Sequence, residues 1–217
     1  MAGRRRASSA HARGNDEFRQ RVSQEAARIM AEEGVRDFHA AKRKAAGRLG
    51  QDEHRNLPSN REVEEALTSY LQLFHARDLP HTLQRLLGTA RDAMQLLSRF
   101  EPRLVGPLLN GVATPFSEIS IHTFPDNPEQ VALLLHEHAI PYEDGSRRLR
   151  FGGERQEDVP VFRFVAGDTR IEICAFPPQA MREAPLSPVD ARPMKRAGLK
   201  EVEQLLTDAA PAPSAIG

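Results

Sequence analysis

Apolar residues keep helical spacing as far as Phe100 and switch to short alternating runs beyond it. Val22, Ala26, Ile29 and Met30 share one helical face, and Val35, Phe38, Ala45 and Leu49 share another up to Gly50. Ser59 and Glu62 have capping-box spacing, so a third helix is expected with Val63, Leu67, Tyr70, Leu71 and Phe74 as its stripe. Pro80 sits where a fourth helix opens, followed by Leu83, Leu86, Leu87, Ala90, Met94 and Leu97.

After Glu101-Pro102 the period changes. "RLVGPLLNG" and "SEISIHTF" are short apolar or alternating runs, and Asp126-Asn127-Pro128-Glu129 reads as a helix start ahead of Val131 to His138. "RRLRF", "VPVFRFVA" and "TRIEICAF" follow as strands, the last two joined through "AGD" as a hairpin. A terminal helix in "RPMKRAGLKEVEQLL" puts Leu199, Val202, Leu205 and Leu206 on one face. The expected organisation is a disordered basic tail over 1–16, a helical region over 17–100, a small α/β domain over 101–180, and a C-terminal extension over 181–217 ending in a frayed tail. The fold class is α+β, with one helix inserted between the strands of a small mixed sheet.

Composition adds few constraints. With 217 residues, 40% hydrophobic and 28% charged, the chain has room for one generous domain or two small ones. Lys+Arg and Asp+Glu balance at 30 each, so a basic surface must be local. No apolar run approaches the roughly 20 residues of a membrane-spanning helix, and no membrane partner is expected. Arg4, Arg5, Arg6 and Arg13 precede the first acid, Asp16, with no apolar segment behind them, which argues against a secretory signal. Cys174 is the single cysteine, which excludes an intrachain disulfide and makes a reducing cytoplasm the default.

The candidate chemistry lies in "NGVATPFSEISIHTF", where alternation turns Glu118, Ser120 and His122 to one face of an apolar strand. Alternate residues of a strand stand about 6.7 Å apart on that face, close enough for two carboxylates to serve neighbouring metal ions. The plain reading is the solvated side of an antiparallel sheet. Arg163, alone in an apolar strand, pairs with Glu172 across the hairpin or meets a phosphate. His136 and His138 lack the spacing of a zinc site, and Cys174 reads as a buried apolar residue. Lys42, Arg43, Lys44 and Arg48 make a basic helix stretch, read as a solvated face or as a contact for nucleic acid or a protein partner.

"RLVGPLLNGVATPFSEISIHTF" resembles the nucleotidyltransferase signature: an apolar strand, a glycine turn, then an acid-apolar-acid strand. Gly106 and Gly111 match its glycines, Pro107 stands where serine is usual, Glu118 matches the first acid and Ser120 takes the place of the second. Glu172 in "TRIEICAF" matches the third acid. "RDFHAAKRKAAGRLG" and "PLSPVDARPMKRA" also resemble an uncharacterised bacterial family of nucleotidyltransferase-like proteins. The resemblance implies a nucleotidyltransferase-like sheet domain binding a nucleoside triphosphate. Glu118 and Glu172 would be Mg2+ ligands and, with Ser120, the catalytic set. Gly106, Gly111 and Arg163 would hold the phosphates. Serine at 120 and proline at 107 imply a degenerate, weakened transfer site, because a hydroxyl removes one charge from the metal cage and proline offers no N–H. The alternative is a non-catalytic regulatory or binding module that uses the basic helical half.

Overall fold

The computed structural model describes residues 2–50 and 57–209. The chain divides into two compact units, Met1–Ala76 and Arg77–Gly217. Among the described residues, no helix is long and apolar enough to cross a membrane.

The first unit is helical: α1 (Ala2–Glu33), α2 (Phe38–Arg48) and α3 (Asn60–Phe74). Val22, Ala26 and Ile29 of α1 meet Ala41 and Ala45 of α2 and Val63 of α3 in a small core. Alanine at these contacts lets the helices approach closely. The stretch expected as a tail over 1–16 is corrected from Ala2 onward, where α1 has already begun. Alanine and arginine are among the best helix formers, so a segment without an apolar stripe of its own still extends the helix. The C-terminal "APAPSAIG" lies outside the described residues.

Ser59 caps α3 as its spacing predicts, its hydroxyl accepting from the Glu62 N–H while Glu62 accepts from the Ser59 N–H. Glu62 also accepts from Arg19 of α1 at 2.7 Å. Burial raises the Glu62 pKa, but Ser59 and Arg19 outweigh it and hold the carboxyl down at about 2. Glu62→Ala therefore removes a cap and a half-exposed ion pair, with an expected cost of about 1–2 kcal/mol in urea unfolding of this unit. The contribution is present above the ordinary carboxyl value of 4.5 and is lost as pH falls from there toward about 2.

The second unit contains α4 (Leu79–Leu96), β1 (Arg103–Val105), β2 (Ile119–Thr123), α5 (Glu129–Glu137), β3 (Glu143–Arg150), β4 (Gln156–Ala166), β5 (Thr169–Ala175) and α6 (Leu199–Asp208). The five strands form one mixed sheet in the order β1-β2-β5-β4-β3, with β2 parallel to β5 and the other pairs antiparallel. Ile119, Ile121, Phe162, Phe164, Ile171 and Ile173 line one face and join Leu86, Leu87, Ala90, Met94 and Leu97 in the main core, with Val131, Leu134 and Leu135 of α5 and Val202 of α6. A smaller core of Phe124, Leu149, Phe151, Val159, Val161, Cys174 and Phe176 occupies part of the opposite face.

The α+β class holds, and two boundaries move. The break falls after Ala76 instead of at residue 100, because the stripe of α4 is buried against the sheet. The described part of the C-terminal extension, 181–209, is not an appendage: Ala197 pairs with Leu104 of β1, and Leu199, Leu205 and Leu206 pack on the main core.

Candidate functional site

Register places one polar row across the whole sheet. Val105 pairs with Ser120, Ser120 with Glu172, Glu172 with Arg163, and Arg163 with Glu143. The two-residue turn at Gly167-Asp168 sets the β4–β5 half of that alignment, with Ala166 opposite Thr169. Because β2 lies beside β5, the serine in the second acid position and the third acid are direct neighbours, their backbones about 4.8 Å apart.

Glu172 is 5% exposed. Its Oε1 accepts from Arg147 Nη1 at 2.5 Å, and its Oε2 accepts from Arg163 Nε at 2.9 Å and Nη2 at 2.8 Å. The hairpin pairing of Arg163 with Glu172 is the one its sequence position suggests. Arg147 comes from the edge strand β3, two strands away from β5. Burial lowers its pKa, but the charge and hydrogen bond of Glu172 more than offset this, and the net shift is upward. Gly145 lies beside the pair: a Cβ there would stand 3.4 Å from Arg163 Nη1, an ordinary van der Waals contact.

Magnesium prefers oxygen ligands in near-octahedral geometry. Both oxygens of Glu172 are engaged by guanidinium groups, and Ser120 beside it is neutral. Among the described residues, no three His, Cys, Asp or Glu side chains are grouped to hold a metal ion. The donor set therefore does not fit a metal bridged between Glu118 and Glu172. Glu118 immediately precedes β2, diagonal to Glu172, and lines a hollow of about 310 Å³ with Glu143, Arg163 and Arg170.

The glycine turn is formed, with Gly106 at φ 94° and Gly111 at φ 72°, conformations that disfavour any side chain. Between them Pro107–Asn110 make a 3₁₀ turn. In and just after it, three N–H groups are engaged internally, Leu109 donating to the Gly106 carbonyl, Gly111 to that of Leu108 and Val112 to that of Pro107. Gly106 follows Val105 on the edge strand, which puts it two strands, roughly 10 Å, from Glu172. The turn and the acids are thus on one sheet, with the Leu109, Gly111 and Val112 amides of the turn already engaged.

The rest of the polar face is structural. His122 is 2% exposed, and its Nδ1 accepts from Arg196 Nε at 3.2 Å. Burial, then the charges of Arg196 and Arg147, push its pKa down to about 3, so it is neutral at pH 7. Arg196 lies over the rings of Phe124 and Phe176, at 5.0 and 5.4 Å from their centroids. Burial foremost, with Glu172 adding to it, pushes the Cys174 thiol up to about 12, which rules it out as a nucleophile. His136 and His138 are exposed on and just after α5.

In the helical unit, Lys44 is tied to Glu33, and Arg48 to Glu25 and Glu33. Lys42 donates to the Pro58 carbonyl and to Asn60, and Arg43 is exposed. A hollow of about 910 Å³ between α1 and α3 holds none of the sequence candidates, and Arg19 and Glu62 in its wall already pair with each other.

Arg147 and Gly145 are the site residues that sequence reasoning missed. Their signal was an arginine in phase with the buried Leu149, together with a glycine two residues earlier on the same face. No family model, no curated protein and no solved structure matches the chain.

Proposed function

We propose that this chain is a nucleotidyltransferase-like protein in which metal-dependent transfer has given way to metal-independent nucleotide binding. One observation carries the reading: the carboxylate in the third acid position, Glu172, is shared by Arg147 and Arg163. A transfer site needs carboxylates free to hold divalent ions, which in turn clamp the phosphates. A guanidinium fork binds phosphate oxygens directly, without a metal. Serine at 120 and proline at 107 point the same way. The other reading uses the basic helical half, where Lys44 and Arg48 are likewise bound to acids, those of α1.

The test is nucleotide titration with and without Mg2+ on the wild type, Glu118→Ala and Ser120→Asp. Nucleotide binding that changes by less than about twofold on adding Mg2+ is expected for the wild type, with no pyrophosphate release. Ser120→Asp adds one carboxylate beside an occupied one and is expected to leave Mg2+ affinity unchanged. Binding that tightens about tenfold or more with Mg2+, or measurable transfer, overturns the proposal.

A further inference from the structure

The two edges of the sheet differ. β1 is three residues long, and its outer side is taken by Ala197, which exchanges backbone hydrogen bonds with Leu104 at 2.8 and 2.9 Å. β3 is eight residues long and lies at the other end of the strand order. It is exposed from Glu143 to Ser146 and again at Arg148 and Arg150.

Register shows which of its backbone groups face outward. In an antiparallel pair, opposed residues alternate between exchanging both hydrogen bonds and exchanging none. Ser146 stands opposite Pro160, which has no N–H to give, and Phe151, in phase with the odd positions, donates to the Arg155 carbonyl across the hairpin. The odd residues of β3 therefore bond to β4, while Asp144, Ser146, Arg148 and Arg150 turn their N–H and C=O groups away from the sheet. Among the described residues, one of these groups has a backbone partner: the Arg150 carbonyl accepts from the Leu186 N–H at 2.6 Å.

Open edges recruit strands, and charge ordinarily deters this. The charges of β3 instead change sign halfway, from Glu143 and Asp144 to Arg147, Arg148 and Arg150. Arg148 is only loosely held, 3.8 Å from Asp158, with both side chains more than half exposed. Such a strand repels a copy laid parallel and in register, and attracts one laid antiparallel. A two-fold axis normal to the sheet must set outward residues opposite outward residues, which leaves few centres. Centring on Asp144 or Arg148 opposes like charges. Centring on Arg147 opposes that residue to itself and calls on the occupied Arg150 carbonyl. Centring on Gly145 makes no ion pair. Centring on Ser146 sets Asp144 against Arg148 twice and the two Ser146 hydroxyls against each other, with Gly145 opposite Arg147, where no side chain crowds it.

We infer that β3 is a docking edge for a second copy of this chain, paired antiparallel about Ser146 so that one sheet runs through both copies. Residues 144–148 exchange about six backbone hydrogen bonds there. A contact this short is smaller than a standard interface, so the dimer is weak, with a Kd of about 10–100 μM.

Sedimentation equilibrium of the full chain, from about 5 to about 500 μM, is expected to show monomer passing into dimer. Asp144→Arg and Arg148→Asp are each expected to weaken the dimer about tenfold or more, since each turns two attractive pairs into two repulsive ones. Mixed in equal amounts, the two variants are expected to associate as tightly as the wild type, because each supplies the charge that the other lacks. Misfolding cannot mimic that rescue. Ser146→Pro deletes the central N–H while sparing the β3–β4 ladder, and should also abolish the dimer. The amides of Asp144, Ser146 and Arg148 should gain protection from hydrogen exchange as concentration rises, with those of Arg147 and Leu149 protected throughout. The inference is overturned if the chain stays monomeric at about 500 μM, if none of the three substitutions changes the dimer, or if the mixed variants fail to associate.

Discussion

Replacing Glu172 by glutamine is expected to destabilise the sheet-bearing unit by about 2–3 kcal/mol. The carboxylate is 7% exposed and is the shared counter-ion of Arg147 and Arg163, whose side chains are 41% and 37% exposed. Without it, two guanidinium groups face each other across a buried amide. Breaking a fully buried pair costs about 3–5 kcal/mol, and the partial exposure of both arginines reduces the figure. Desolvating three charged groups is itself costly, so replacing Arg147, Arg163 and Glu172 together by methionine is expected to restore stability to within about 1 kcal/mol of the wild type. Urea unfolding followed by hydrogen exchange of the β5 amides reads both results on the relevant unit. A Glu172→Gln protein indistinguishable from wild type would mean that the arginine pair does not depend on its counter-ion. The triple variant also removes the proposed ligand's guanidinium contacts, so it should fold and fail to bind nucleotide.

What the sequence reveals and what it hides divide along contact distance in the chain. The stripe and capping box of α3, the opening of α4 at Pro80 and the β4–β5 hairpin are local patterns, and the structure follows them. The Arg163–Glu172 pair belongs with them, since a two-residue turn sets its register. Placing β2 beside β5 is a different matter. Forty-five residues lie between Thr123 and Thr169, and alternation in either strand does not name its neighbour. The face of Glu118, Ser120 and His122 was legible, but not that Glu172 would be engaged from β3. Arg147 reaches it across β4, which the strand order puts between β3 and β5. The boundary after Ala76 was hidden for a related reason: the stripes of α3 and α4 are both apolar, and period does not say which core each one joins.

A second large effect is expected on acidification. His122 has its pKa pushed from 6.5 down to about 3, chiefly by burial, with Arg196 and Arg147 adding repulsion. The unfolded chain therefore takes up a proton below pH 6.5 that the folded chain refuses. Stability from this group is complete above 6.5 and falls as pH drops below it, levelling only near 3. The slope is about 1.4 kcal/mol per pH unit, so acidification from 6.5 to 5 is expected to remove about 2 kcal/mol. The carboxylates of the helical unit respond later, since Glu62 contributes until pH falls below 4.5. The sheet unit should thus lose stability first, in a window that separates the two. His122→Asn keeps an acceptor for Arg196 Nε but does not titrate. That variant should be less stable than wild type at pH 8, through lost packing against Phe176, and flatter between 6.5 and 5. Equal pH slopes for wild type and variant over that interval would show that His122 takes up its proton in the folded state, and that the repulsion from Arg196 and Arg147 does not act as the geometry requires.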